Sequence, residues 1–167
     1  HLMCDRDPRC RVIESAHIGL NGSVKDVGAS HGTSPYLTFV DSDDTIAINA
    51  LDEVMKAFQE HPVDIIYTDQ IVVDGKGGKK VAANFKIPYS AEKMLSMRLI
   101  KQLTVMKREV HQRLSGHDPT FTYAADYDFF VKASEFASVY HLEKPLYFYF
   151  VDPDHDQISV KNKEAQT

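Results

Sequence analysis

Short apolar runs of strand length punctuate this chain, and between them apolar positions recur with the longer period of amphipathic helices. Cys10-Arg11-Val12-Ile13-Glu14 reads as a short strand after the turn signal Asp7-Pro8. Asn21-Gly22-Ser23 is a turn that can cap a helix over roughly Val24 to His31, although Gly28 and Gly32 lower its propensity. Tyr36-Leu37-Thr38-Phe39-Val40 is the next strand, with four of its five residues apolar or aromatic. Ala47, Leu51, Val54, Met55 and Phe58 then form one apolar helical stripe, which Pro62 ends. Val63 to Tyr67 is a buried strand, so strand, helix and strand make a βαβ unit, and Asp69 stands where that strand runs out. Ile71-Val72-Val73 and Lys80-Val81-Ala82 flank Asp74-Gly75-Lys76-Gly77-Gly78 and read as a hairpin. After Pro88, Ser90 caps a helix through Met94, Leu95, Met97 and Arg98. Leu103 to Met106 is a strand, followed by a short helix near Val110 to Leu114 and a loop at Ser115-Gly116-His117-Asp118-Pro119. Asp126 opens a second striped helix with Phe129, Phe130, Ala133 and Phe136 on its buried side. Val139 to Leu142 and Leu146 to Phe150 close the sheet, and the tail after Val160 is polar.

The stretch that organises this pattern is the end of the Tyr36–Val40 strand, where Asp41, Asp43 and Asp44 place three carboxylates within four positions. Open α/β sheets bind ligands at the carboxyl ends of their strands. Like charges this close repel unless a cation or hydrogen-bond donors compensate them, and hard oxygen ligands suit Mg²⁺ or Mn²⁺. The plainer reading is a solvated acidic turn in which Asp44 or Thr45 caps the following helix. A second acidic pair, Asp126 and Asp128, stands at a helix start. There the helix dipole favours ionised carboxylate, which could accept a proton from an attacking hydroxyl. Local sequence equally allows Asp126 to be a capping residue. Of the eight histidines, His155, in Asp154-His155-Asp156, is a candidate metal or phosphate ligand; the plainer reading is a loop histidine.

Composition narrows the class. With 167 residues, 43% of them hydrophobic and 26% charged, the chain fits one soluble domain with a core. A formal net charge of -5 and the lack of a basic face argue against a nucleic-acid partner. No apolar run approaches the roughly 18 residues of a membrane span. The first residues have no apolar core of a signal peptide. Two cysteines make neither a disulfide framework nor a zinc spacing. A cytoplasmic setting is the expectation.

The order of these pieces resembles the family 2 glycosyltransferases. That family shows a strand ending in Asp-x-Asp-Asp, here Phe39-Val40-Asp41-Ser42-Asp43-Asp44, then a strand with an acidic end, here Asp64 to Asp69. An Arg follows, here Arg108 in Met106-Lys107-Arg108, and a Gly-Gly-Phe-Asp loop, here Ser115-Gly116-His117-Asp118. Eight residues beyond Asp118 comes Glu-Asp-x-Asp, here Ala125-Asp126-Tyr127-Asp128. A Pro-Leu-x-x-Tyr-Arg pattern followed by His and Ser appears as Pro145-Leu146-Tyr147-Phe148-Tyr149-Phe150, then His155 and Ser159. The family's Ala-Arg-Asn stands here as Val24-Lys25-Asp26.

This resemblance implies a GT-A-like (Rossmann-related) α/β fold, a mixed central sheet flanked by helices, over residues 1–160, with 161–167 as a polar tail. It implies a metal-dependent inverting transfer of sugar from a nucleotide-diphospho-sugar to an acceptor hydroxyl, as in polysaccharide biosynthesis. Asp43, Asp41 and His155 would hold Mn²⁺ or Mg²⁺; Asp41, Asp44, Lys25 and Arg108 would contact the donor; Asp126 would be the general base. The partners implied are the nucleotide-sugar and a carbohydrate or lipid-linked acceptor. The family's first two βα units have no counterpart, so the chain reads as an N-terminally truncated catalytic domain. Peripheral membrane association through regions outside it, and self-association through uncovered strand edges, are the accompanying expectations. Two other readings stand beside this one. A non-catalytic glycosyltransferase-like module would bind a sugar or a protein partner. The haloacid-dehalogenase-like phosphatases share Asp-x-Asp-x-Thr, which Asp41 to Thr45 matches, with Asp41 as nucleophile and Asp43 as acid/base.

Overall fold

The computed structural model describes residues 7–14, 21–74, 79–84 and 88–151. Helix α1 (Asn21–Ser30) leads into β1 (Tyr36–Thr38), the acidic turn, and β2 (Thr45–Ile46). Helix α2 (Ala50–Glu60), β3 (Ile65–Asp74) and β4 (Lys79–Asn84) follow, then α3 (Ala91–Met94), β5 (Thr104–Lys107), α4 (Arg108–Arg113), α5 (Ala125–Ala133) and β6 (Val139–Val151). The strands form one six-stranded mixed sheet in the order β1-β5-β3-β6-β2, with β4 also paired to β3. β3 is its axis. Parallel β6 runs along one edge of β3 from Ile65 to Asp74, while antiparallel β5 and then antiparallel β4 share the other.

The βαβ expectation holds in direction but not in adjacency. β1 and β3 are both antiparallel to β5, hence parallel to each other, but β5 lies between them. A three-residue β1 offers few ladder bonds, and a strand from later in the chain supplies its partner.

The apolar pattern sorts onto two faces of the sheet. On one, Ile65, Tyr67 and Met106 pack with Met94, Val110, Phe129, Phe130 and Ala133 from α3, α4 and α5. On the other, Ile66, Val105, Leu146 and Tyr147 pack with Ala50, Val54, Ala57 and Phe58 of α2. Alternation along β3 and β5 delivers successive residues to opposite faces, as a twice-covered strand requires.

Several local expectations are corrected. Cys10 to Glu14 is not a strand: Cys10 closes a turn onto Asp7 (2.9 Å), and Val12 and Ile13 are exposed with no strand partner among the described residues. The buried stripe of α2 is Ala50, Val54, Ala57 and Phe58, leaving Leu51 51% exposed. Two alanines let the helix lie close to the sheet, and this rotates the stripe one position from the one drawn through the bulkier residues. Asp69 does not end a strand. It lies inside the ten-residue β3, is 3% exposed, and accepts from His141 Nε2 at 2.9 Å. The register against β6 shifts on both sides of it, from Thr68 opposite Leu142 to Asp69 opposite Pro145. That irregularity absorbs Glu143 and Lys144, so the two runs expected as separate closing strands are one strand, with β2 outside it.

Candidate active site

The acidic cluster caps no helix. Asp41 to Asp44 is a tight turn, closed by the Asp44 amide on the Asp41 carbonyl (3.1 Å), and α2 begins only at Ala50. Having left β1, the chain enters β2, which pairs with Tyr147 and Phe148 of β6. The turn is therefore slung between the edge strand β1 and the opposite side of the sheet.

Its three carboxylates face different surroundings. Asp44 is buried, and its oxygens accept from the Tyr147 hydroxyl (2.6 Å) and the Phe150 amide (2.9 Å). Burial pushes its carboxyl above the usual range, the charges of Asp43 and Asp41 add to this, and the bonds from Tyr147 and Phe150 oppose it. The Tyr147 phenol is pushed far up, first by burial and then by the Asp44 carboxylate it serves. Asp41 is half-exposed and pairs with Lys25 Nζ at 3.2 Å, and that ammonium lies 5.9 Å from the Phe39 ring centroid. Asp43 is exposed. So the turn is braced at Asp44, charge-paired at Asp41, and open to solvent at Asp43.

α1 carries Lys25 to this turn. Its first turn also packs against the start of α5: a Cβ on Gly22 would lie 3.2 Å from Ala125 Cβ and 2.8 Å from His117 Cβ. Gly22 is needed for that approach, and Ala125 is the neighbour of Asp126. Asp126 sits in the first turn of α5, but the residue at the cap position is Ala124, in a left-handed conformation with φ 57°. The Asp126 side chain instead accepts from Arg98 Nη2 at 3.1 Å, with both groups about two-fifths exposed. Asp128 pairs with Lys132 at 2.7 Å. Asp118 accepts from the Thr120 hydroxyl and amide and from Lys132, which hold its carboxyl down to about 2.

Of the residues expected at a donor site, the structure brings together Asp41, Asp43, Asp44 and Lys25. It does not bring Arg108 to them. The Arg108 guanidinium donates to the Ser34 and Ala29 carbonyls (2.5 and 2.8 Å), at the end of β1 opposite the acidic turn. His155 lies outside the described residues. Two partners went unnoticed in the sequence. Tyr147 reads in the sequence as a strand residue, and its register opposite Ile46 is what brings its hydroxyl to Asp44. Arg98 reads in the sequence as a polar residue closing a helix, whereas α3 ends at Met94 and Arg98 lies beyond it.

The residues of the turn fit a hard divalent cation. Three carboxylates stand within four positions, the charges of Asp41 and Asp43 add to the burial that raises Asp44, and Asp43 is exposed, so the turn carries hard oxygen donors at the surface.

The glycosyl transferase family 2 model matches residues 3–115, more than half of the chain. The chain belongs to glycosyl transferase family 2. Among curated relatives of this family 2 chain, the O-antigen biosynthesis protein RfbC of Myxococcus xanthus is 28% identical over 145 residues, 86% of this chain and 11% of RfbC. A chondroitin synthase of Pasteurella multocida is 25% identical over 162 residues, 96% of this chain and 16% of the synthase. The chain thus spans a small part of the length of these relatives. The crystal structure of S. aureus TarS 1-349 in complex with UDP superimposes with a TM-score of 0.64 at 21% identity, over 84% of this chain and 43% of that one. The likeness shows the fold: the mixed sheet with helices on both faces is that of the GT-A glycosyltransferases. The phosphatase reading of Asp41 to Thr45 falls with this membership. No helix among the described residues is long and apolar enough to cross a membrane.

Proposed function

We propose that this chain transfers a sugar from a nucleotide-diphospho-sugar to an acceptor hydroxyl, with inversion, using a divalent metal at the acidic turn. The observation that carries this reading is the division of labour among Asp41, Asp43 and Asp44 within a family 2 chain. Asp44 fixes the turn to β6 through Tyr147 and Phe150. Asp43 would be the direct metal ligand, with Asp41 shared between the metal and Lys25. Mn²⁺ or Mg²⁺ held there would neutralise the diphosphate and make it a better leaving group. Lys25 adds a positive charge on the same side.

Asp126 is the proposed general base. The acceptor oxygen attacks the anomeric carbon from the side opposite the diphosphate, the carbon–oxygen bond to the diphosphate breaks, and the acceptor proton passes to an Asp126 carboxylate oxygen. Arg98 aims one of those oxygens and must leave the other for the acceptor. A carbohydrate or lipid-linked acceptor fits this scheme. The names of the relatives support that class, since one is an O-antigen biosynthesis protein and another a chondroitin synthase.

The test is calorimetric titration with Mn²⁺ in the presence of UDP. Binding that Asp43→Ala abolishes is the expected result. Binding unchanged in that variant would move the metal elsewhere and sink the assignment.

A further inference from the structure

Two departures from the family pattern meet in space. Where the family has Asn this chain has Asp26, and where the family's Gly-Gly-Phe-Asp loop has Phe it has His117. The two residues are 91 positions apart, yet His117 Nδ1 lies 2.7 Å from Asp26 Oδ1. The third member is His111 of α4, whose Nε2 lies 2.8 Å from the same oxygen. We propose that Asp26, His111 and His117 form a second metal site, for a zinc-class divalent ion, separate from the acidic turn.

The donor set is the first argument. One carboxylate and two imidazoles suit Zn²⁺ or Co²⁺, with a fourth position for water, whereas the all-oxygen turn suits Mg²⁺ or Mn²⁺. The three ligand atoms lie within 4.8 Å of one another. Zinc–ligand bonds of about 2.0–2.2 Å set tetrahedral ligand atoms about 3.3 Å apart, so each imidazole nitrogen would move about half an ångström away from the Asp26 oxygen it now bonds. Each ring nitrogen that faces Asp26 must then present a lone pair, with its proton moved to the other ring nitrogen or released to solvent.

The second argument is that the site is built and held. The imidazole side chains are 11% and 4% exposed, while Asp26, at 25%, leaves an approach from solvent. The His117 amide donates to Asp26 Oδ2 at 2.8 Å and orients the carboxylate. Burial pushes Asp26 up, but the bonds from His117 and His111 outweigh it and leave the carboxyl below its usual range. Phe39 and Phe129 pack against both imidazole rings, with centroids 4.9 to 6.2 Å away. Gly116 has φ +85°, and a Cβ there would fall 2.7 Å from the Asp26 carboxylate. The ion would tie α1, α4 and the loop before α5 together at the residue next to Lys25.

Co²⁺ is the probe, because four-coordinate cobalt absorbs strongly in the visible and carboxylate-bound octahedral cobalt does not. The purified chain should take up one equivalent with such a band, and Zn²⁺ should displace it. His111→Gln and His117→Asn place an amide nitrogen near the ring nitrogen that faces Asp26, so they keep the hydrogen bonds and remove the ligands. The double variant should bind Co²⁺ more than about 100-fold more weakly, since loss of even an outer-shell partner costs about 10–100-fold, while Asp43→Ala should keep the band. X-ray absorption of the zinc-loaded wild-type chain should count two imidazoles, and this reading needs no variant to fold. No band, a band lost in Asp43→Ala, an unweakened double variant, or fewer than two imidazoles would each overturn the site without touching the Mn²⁺–UDP result.

Discussion

Asp44 is expected to contact the donor, and in the structure its carboxylate braces the turn through the Tyr147 phenol and the Phe150 amide. Its carboxylate is buried against Tyr147 and Phe150, so Tyr147→Phe strips one donor from a buried acceptor. Such a loss costs about 1–3 kcal/mol, to be read as the difference in urea unfolding free energy. The variant should also bind Mn²⁺–UDP more weakly, because the turn is less firmly held. Asp126 allows a cleaner separation of stability from chemistry. Its carboxylate caps no backbone amide and pairs at a half-exposed position with Arg98. Asp126→Asn should change stability by less than about 1 kcal/mol, as exposed ion pairs do. Loss of a general base should slow transfer about 10²–10⁴-fold with donor binding kept. Near-normal transfer by Asp126→Asn would assign the base elsewhere, with Asp128 the next to test. At this scale the acidic triplet and Lys25 were legible because charge against an apolar strand is a one-dimensional signal. Tyr147, Arg98 and the meeting of Asp26 with His117 were not, because each depends on which distant strand or helix lies alongside.

Between elements, the start of β3 is fastened by Asp64, which accepts from Lys107 Nζ at the end of β5 (2.8 Å) and from the Ser138 amide and hydroxyl before β6 (2.9 and 2.7 Å). Partial burial raises its carboxyl, but Lys107 and Ser138 outweigh this and leave it below the ordinary 3.8. A depressed folded-state value means that this carboxylate stabilises the fold above the ordinary range, and that the contribution is lost as pH falls through the folded value. Asp64→Asn should cost about 1–2 kcal/mol at neutral pH. In urea melts the gap to wild type should close in acid below about pH 4; a gap that persists there would mean the carboxylate's charge is not what fastens β3. The elements themselves were read from period and punctuation, and α5, with Phe129 and Phe130 inward, came out as expected. The stripe of α2 was misread because Ala50 and Ala57 carry little weight in a hydrophobic pattern and a great deal in close packing. β3 was cut short at Asp69 because a buried aspartate inside a strand requires a partner, His141, that only the fold supplies.

Over the whole molecule, β1 is the outermost strand of the sheet's path, and beyond it no strand is paired among the described residues. Val40, just beyond β1, is exposed, as are Ile48 and Leu51 beyond the opposite edge strand β2, Ile48 fully so. An open strand edge beside apolar surface invites pairing with another copy. Sedimentation of a dilution series should show mass rising with concentration, and a constant monomer mass throughout would contradict this. The sheet's order was the least legible feature, since nothing local announces that β5 will enter between β1 and β3. That same order has a consequence in time. The longest ladder joins β3 to β6, from Ile65 opposite Val139 to Asp74 opposite Val151, with its register shifting around Asp69. On the ribosome β3 emerges long before its parallel partner and cannot complete the sheet's axis until β6 follows. Pairings this distant in sequence place refolding in roughly the millisecond-to-second range, far slower than the microseconds open to locally wired helical domains. During that wait Ile65 and Ile71, both buried in the finished sheet, lack their β6 neighbours, which makes chain synthesis, more than the finished fold, the stage most exposed to aggregation.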